Sequence, residues 1–119
     1  MAISRDGNTL YAAIENTNSI VVFDLGQKKI LHTFTAPIAK EKSVKHCGGC
    51  KDQGVRSLAL SPDEKLIYAT SFEANALSVI NVATGEIIQS ITTGAHPDSF
   101  ILSRDGRKAW VMNSTSNSV

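Results

Sequence analysis

The stretch SPDEKLIYATSFEANALSVINVATGEIIQSITTGAHP, residues 61–97, decides the fold because its pattern occurs in two further places in the chain. Residues 3–37 and 102–119 repeat it, the second of these only as far as Val119. Each copy has a Ser, then an Asp two positions later, an aromatic residue after seven and an Asn after fourteen. These positions are Ser4, Asp6, Tyr11 and Asn18; Ser61, Asp63, Tyr68 and Asn75; and Ser103, Asp105, Trp110 and Asn117. Such a fixed register predicts a repeat architecture.

Each copy contains short runs rich in β-branched and aromatic residues, separated by turn residues, which predicts four strands. TLYAAI, LIYATS and KAWVMN are the second strands, and KILHTFT and EIIQSIT are the fourth. The third strands, SIVVFDL and LSVINV, are almost wholly apolar, which is typical of a strand covered on both faces. Ser-Arg-Asp-Gly and Ser-Pro-Asp-Glu read as turns in which Gly accepts a left-handed conformation. Glu64 replaces that Gly, so its turn is expected to be slightly strained.

Four antiparallel strands recurring at about 40 residues are typical of propeller blades. The pattern SPDEKLIYATS, NALSVINVATG and GAHP resembles the YVTN-type β-propeller repeat, a relative of the WD-repeat and quinoprotein propellers. The resemblance implies an all-β propeller of four-stranded antiparallel blades, with about two and a half blades in this chain. We expect a first blade over residues 1–37, an insertion over 38–54, a second blade over 55–97 and a partial third over 98–119.

A closed propeller needs at least about four blades, so further blades are required. We expect them from a longer chain or, as an alternative, from other copies of this one. A net charge of +1 and 6% aromatic residues give no sign of nucleic-acid binding. No apolar run is long enough to span a membrane, and the N-terminal residues do not resemble a signal peptide.

The first two copies are separated by 15 residues more than the second and third, and this insertion is locally positive. Its basic residues are Lys40, Lys42, Lys45 and Lys51, and Arg56 follows it. By resemblance, such a connection lies on the face of a propeller that carries ligands. The next connection, TTGAHPDS, places His96 on the same face.

The insertion contains the sequence HCGGCK, which has four interpretations. One is a redox-active dithiol, although no thioredoxin-like βαβ pattern accompanies it; the other three are a disulfide, a metal site and covalent haem. Cys47 and Cys50 can form a small disulfide loop in an extracytoplasmic protein. They can also supply two thiolates to zinc, with His96, or less readily His46, as a further ligand. The third interpretation is covalent c-type haem, with Lys51 where the axial His normally stands. We expect no cofactor, and zinc or haem c are the alternatives.

The sequence therefore favours a binding scaffold in the periplasm or at the cell surface. A protein or small-molecule ligand would lie on the face formed by the connections. The alternative is the propeller of a redox or electron-transfer enzyme with haem or metal near Cys47 and Cys50. The chain contains no catalytic motif, so we expect no catalysis from this chain itself.

Overall fold

The computed structural model describes residues 1–14, 17–35, 54–72 and 74–119. This part of the chain contains ten strands in three antiparallel sheets. The first sheet consists of β1 (Ala2–Ile3), β2 (Thr9–Ile14), β3 (Ser19–Asp24) and β4 (Lys29–Thr35). The second consists of β5 (Val55–Leu60), β6 (Leu66–Ser71), β7 (Ala76–Asn81) and β8 (Ile87–Thr92). The third pairs β9 (Pro97–Leu102) with β10 (Ala109–Asn113).

In each sheet the strands pair in sequence order, so every connection within a sheet is a hairpin. The registers of the first two sheets are equivalent: Tyr11 pairs with Val22 as Tyr68 pairs with Val79. The third strands are the most buried, as their apolar sequence predicts. The predicted all-β fold of four-stranded antiparallel blades is therefore confirmed, with two such sheets and one two-stranded sheet in the described residues.

The main hydrophobic core lies between the first two sheets. Alternate residues of β2 and β3 pack against alternate residues of β6 and β7, because side chains two apart share one face of a strand. The core residues are Tyr11, Ile20, Val22, Phe34, Val55, Leu58, Ile67, Ala69 and Ile80. The first strands of successive sheets, β1, β5 and β9, contact one another in that order. The sheets therefore follow one another as propeller blades do.

The shared aromatic position shows how each sheet is covered by the next. Tyr11 is only 6% exposed because the second sheet packs over it. Tyr68 is half-buried, and Trp110 is 49% exposed. The sequence predicts all three as core residues between blades, and Trp110 departs from that prediction because no described residues cover its side of the third sheet.

The turns between the first and second strands form one edge of the molecule, which we call the turn edge: residues 4–8, 61–65 and 103–107. All three have the same hydrogen bonds. The Ser hydroxyl donates to the Asp Oδ1 at 2.5 Å, and that oxygen also accepts the backbone N–H two residues further on. The Ser Oγ in turn accepts the N–H at the start of the second strand. The repeated Ser and Asp are thus structural turn residues.

The fourth residue of each turn has a left-handed backbone. Its φ is 74° at Gly7, 59° at Glu64 and 72° at Gly106. Asn18, Asn75 and Asn117, at the opposite ends of the sheets, have φ near 48°. Asn tolerates this conformation better than most residues, which explains its repeated position. The strain expected at Glu64 is confirmed.

The turn hydrogen bonds make a prediction about acid stability. The Ser hydroxyl first, and then the backbone N–H, hold the pKa of Asp6, Asp63 and Asp105 below the usual value of 3.8. A carboxyl with a lowered pKa in the folded state contributes stability above its unfolded pKa and loses it as the pH falls through its folded pKa. We expect the melting temperature to fall more steeply below pH 3.8 in the wild type than in the variant D6N/D63N/D105N. Equal slopes of melting temperature against pH in the two proteins would contradict this assignment.

Candidate functional site on the connection edge

The opposite edge of the molecule carries the connections between sheets. We call it the connection edge: residues 54–56, 93–96 and 114–118, with Phe72 and Asn75. Within the second and third sheets, backbone hydrogen bonds join the residue before the first strand to the residue after the second strand. Phe72 N–H donates to Gly54 O at 3.3 Å, and Ser114 N–H donates to His96 O at 3.0 Å. Each blade is therefore tied to the connection that enters it.

Three side chains meet on this edge around one aromatic ring. The imidazole of His96 stacks on Phe72, with ring centroids 4.4 Å apart and planes 7° apart. The guanidinium carbon of Arg56 lies 4.6 Å from the same phenyl centroid, within the range of a cation–π interaction. The cluster thus combines a permanent positive charge, an aromatic surface and a titratable ring.

His96 is held in place from several directions. Its backbone N–H donates to Asn75 Oδ1 at 2.8 Å, and its carbonyl oxygen also accepts the Ser114 hydroxyl at 3.0 Å. Its ring Nδ1 is hydrogen-bonded to Thr115 Oγ1. The contact at Nδ1 and the stack on Phe72 orient the ring, and among the described residues Nε2 makes no hydrogen bond.

The backbone of His96 is left-handed, with φ 55°. Gly54 occupies the corresponding position one blade earlier, and Asp98 and Ser114 correspond to Arg56 and Phe72 one blade later. The cluster residues are therefore not part of the repeat. They contrast with the turn edge, where the same Ser and Asp occur in every copy.

Of the residues predicted from the sequence, Arg56 and His96 lie in the described part of the chain and meet on Phe72. The others lie outside the described residues: Lys40, Lys42, Lys45, His46, Cys47, Cys50 and Lys51. Sequence reasoning missed Phe72 and Thr115. Alignment of the repeats gives a signal for Phe72, since an aromatic residue stands there where the next copy has Ser114.

Among the described residues no group of three or more His, Cys, Asp or Glu side chains could hold a metal ion. Within the same residues no helix is long and apolar enough to cross a membrane.

The model of the family described as lactonase, seven-bladed β-propeller, matches residues 1–119. The chain belongs to this family. The ten strands of the described residues thus belong to a lactonase-family propeller, which agrees with the order in which their sheets pack. No curated protein gives a significant match.

Three solved structures illustrate the breadth of proteins with this fold. Hydrazine synthase of Kuenenia stuttgartiensis superimposes with a TM-score of 0.77 at 21% identity, over 94% of this chain and 28% of that one. A candidate 6-phosphogluconolactonase of Bacteroides fragilis gives 0.76 at 21% identity, over 97% and 31%. The dihydro-haem d1 dehydrogenase NirN gives 0.66 at 16% identity, over 89% and 20%. At such identities the similarity concerns the fold, and the chain spans less than a third of each structure.

Proposed function

We propose that this chain supplies consecutive blades, built from YVTN-type repeats, to a seven-bladed propeller that acts as a binding scaffold. Its ligand or protein partner lies on the connection edge. The observation that carries this proposal is the meeting of Arg56, Phe72 and His96 at positions where the repeat has other residues. Side chains that depart from the repeat are not required by the shared fold, and loops at the ends of a rigid scaffold commonly carry binding residues.

The charge of the sequence around Arg56 indicates the chemistry of the partner. Arg56 follows closely after the insertion, whose four lysines outnumber its acidic residues. Positive charge gathered in one segment of a chain attracts anions and raises their rate of association. The phenyl and imidazole rings add a flat surface for the apolar part of a ligand. We therefore expect a carboxylate-bearing molecule or an acidic segment of a protein.

The test is calorimetric titration of the complete propeller with two probes, citrate and a poly-glutamate peptide. We expect the variant K40A/K42A/K45A/R56A to bind at least one of them about tenfold more weakly than the wild type, because hydrogen bonds to charged groups contribute about 1.5–3 kcal/mol. Binding of citrate alone would indicate a small ligand, and binding of the peptide alone a protein partner.

The matched control carries R104A and R107A, which remove exposed basic residues from the turn edge. It is expected to bind like the wild type. Failure of both probes to bind the wild type, or equal weakening in both variants, would refute an anion-binding connection edge.

We further propose an extracytoplasmic location, because a disulfide between Cys47 and Cys50 suits an oxidising compartment. Mass spectrometry of peptides from protein purified under non-reducing conditions tests this. Free thiols at both positions would contradict it.

The second candidate function is a redox or electron-transfer propeller with a bound metal or haem. The observation that favours it is His96, whose ring is fixed through Nδ1 while Nε2 makes no hydrogen bond among the described residues. This is the usual arrangement of a metal-binding His. The names of two structural neighbours, hydrazine synthase and dihydro-haem d1 dehydrogenase, belong to redox enzymes. A haem absorption band in the purified protein, lost in C47A/C50A, would support electron transfer. Stoichiometric zinc, lost in both C47A/C50A and H96A, would indicate a zinc site without redox chemistry.

A further inference from the structure

On the turn edge, the second residue of one turn lies against the fourth residue of the next blade's turn. The backbone N–H of Arg5 donates to Glu64 Oε1, and Arg5 Nη2 donates to Pro62 O at 3.3 Å. One blade later, Pro62 occupies the position of Arg5, and Gly106 occupies that of Glu64. A Cβ atom on Gly106 would lie 2.7 Å from Pro62 Cδ.

The two contacts are chemically matched pairs. Arg5 has a backbone N–H, and Glu64 supplies a carboxylate to accept it. Glu64 does so from a left-handed conformation that disfavours side chains other than Gly and Asn. Pro62 has no N–H to satisfy, and its ring leaves room only for a glycine, Gly106. In the first contact a backbone N–H is thus paired with a carboxylate acceptor, and in the second a proline ring is packed against a glycine.

The third turn has an arginine, Arg104, at the position that Arg5 occupies in the first turn. Arg104 stands at the position of Arg5 and Pro62, is exposed, and its N–H has no hydrogen-bond partner among the described residues. The sheet face beside it is uncovered: Ile101 is 68% exposed, Met112 50% and Trp110 49%. Tyr11, at the position of Trp110, is 6% exposed because a neighbouring blade covers it.

We propose that the blade covering Trp110 carries a glutamate at the fourth position of its turn, and that this residue accepts the N–H of Arg104. The pairing of turn residues then specifies which blade follows which. A second copy of this chain offers Gly7 at that position, which has no side chain to accept the Arg104 N–H. The partner is therefore a different blade with an acidic turn residue.

The pair already present in the chain tests the rule. In the assembled propeller, hydrogen exchange at the Arg5 amide is expected to be about tenfold faster in E64A than in the wild type. In E64Q it should stay close to the wild-type rate, since the amide oxygen still accepts a hydrogen bond at the same backbone strain. Similar exchange rates in E64A and E64Q would refute the role of Glu64 as acceptor.

A double-mutant cycle with R5P and E64G converts this pair into the proline–glycine type. R5P alone is expected to lower the melting temperature by about 2 °C, corresponding to roughly 1 kcal/mol. The double variant should be more stable than the sum of the single changes predicts. Additive effects would contradict matched pairing.

The Arg104 pair is tested in the same assembled propeller. We expect the Arg104 amide to exchange as slowly as that of Arg5, and to become about tenfold faster when the fourth turn residue of the covering blade is replaced by alanine. R104P should lower the melting temperature as R5P does. Rapid exchange at Arg104 in the wild type, or a glycine at that position of the covering blade, would overturn the proposal.

Discussion

Replacing Ile80 with alanine is expected to lower the free energy of unfolding by about 3 kcal/mol. Ile80 is fully buried in β7 and packs in the core between the first two sheets. Removing most of its side chain costs the transfer energy of the lost atoms and leaves a cavity that the surrounding strands fill only in part. Urea denaturation of the wild type and the variant measures the effect.

The control is I88A, in the neighbouring strand β8, where the side chain is 59% exposed. It removes the same atoms from a position that is largely hydrated already, so we expect a change of less than about 0.5 kcal/mol. Equal destabilisation by both substitutions would show that the two sheets do not pack through the face containing Ile80.

Replacing Gly85 with alanine is the second change with a large expected effect, about 3 kcal/mol of destabilisation. Gly85 lies in the β7–β8 turn with φ 71°, where a side chain is strained. The added Cβ would also lie 2.4 Å from Cδ1 of Phe34, a core residue of the first sheet. The β7–β8 turn of the second sheet thus packs against the core of the first sheet.

G7A separates the two causes. Gly7 has φ 74°, but an added Cβ would meet no atom within 4 Å among the described residues. It should therefore show the backbone cost alone, about 1 kcal/mol. If G85A were no more destabilising than G7A in urea denaturation, Gly85 would not be in contact with Phe34.

Most of the fold could be predicted from the sequence because it depends on local chemistry. The Ser and Asp of each turn form hydrogen bonds within a few residues of each other, so their spacing alone predicts the turn. The buried third strands follow from their apolar sequence. The position of Asn75 predicts a left-handed turn residue, and its φ of 48° agrees.

The contacts that could not be predicted join residues far apart in the chain. Arg56, Phe72 and His96 meet because β5, the end of β6 and the β8–β9 connection converge at one edge. The spacing of residues within a single strand cannot predict that these three side chains come into contact. The bond between Arg5 and Glu64 spans 59 positions and arises only when two blades pack side by side.

The two edges of the molecule therefore have different roles in this account. The turn edge repeats the same residues because it stabilises each blade and its contact with the next. We propose that the connection edge varies because it binds a ligand or a partner. A propeller can belong to a scaffold or to an enzyme, because function depends on the residues of the site and not on the fold.

We propose that the chain belongs to a binding scaffold without a covalently attached cofactor. The intact mass of protein purified from its native source under non-reducing, denaturing conditions, together with its visible absorption spectrum, tests this directly. We expect a polypeptide mass lowered by two hydrogens, for a disulfide between Cys47 and Cys50, and no visible absorption. A mass increased by one haem, with a haem absorption band, would contradict it and establish the redox alternative.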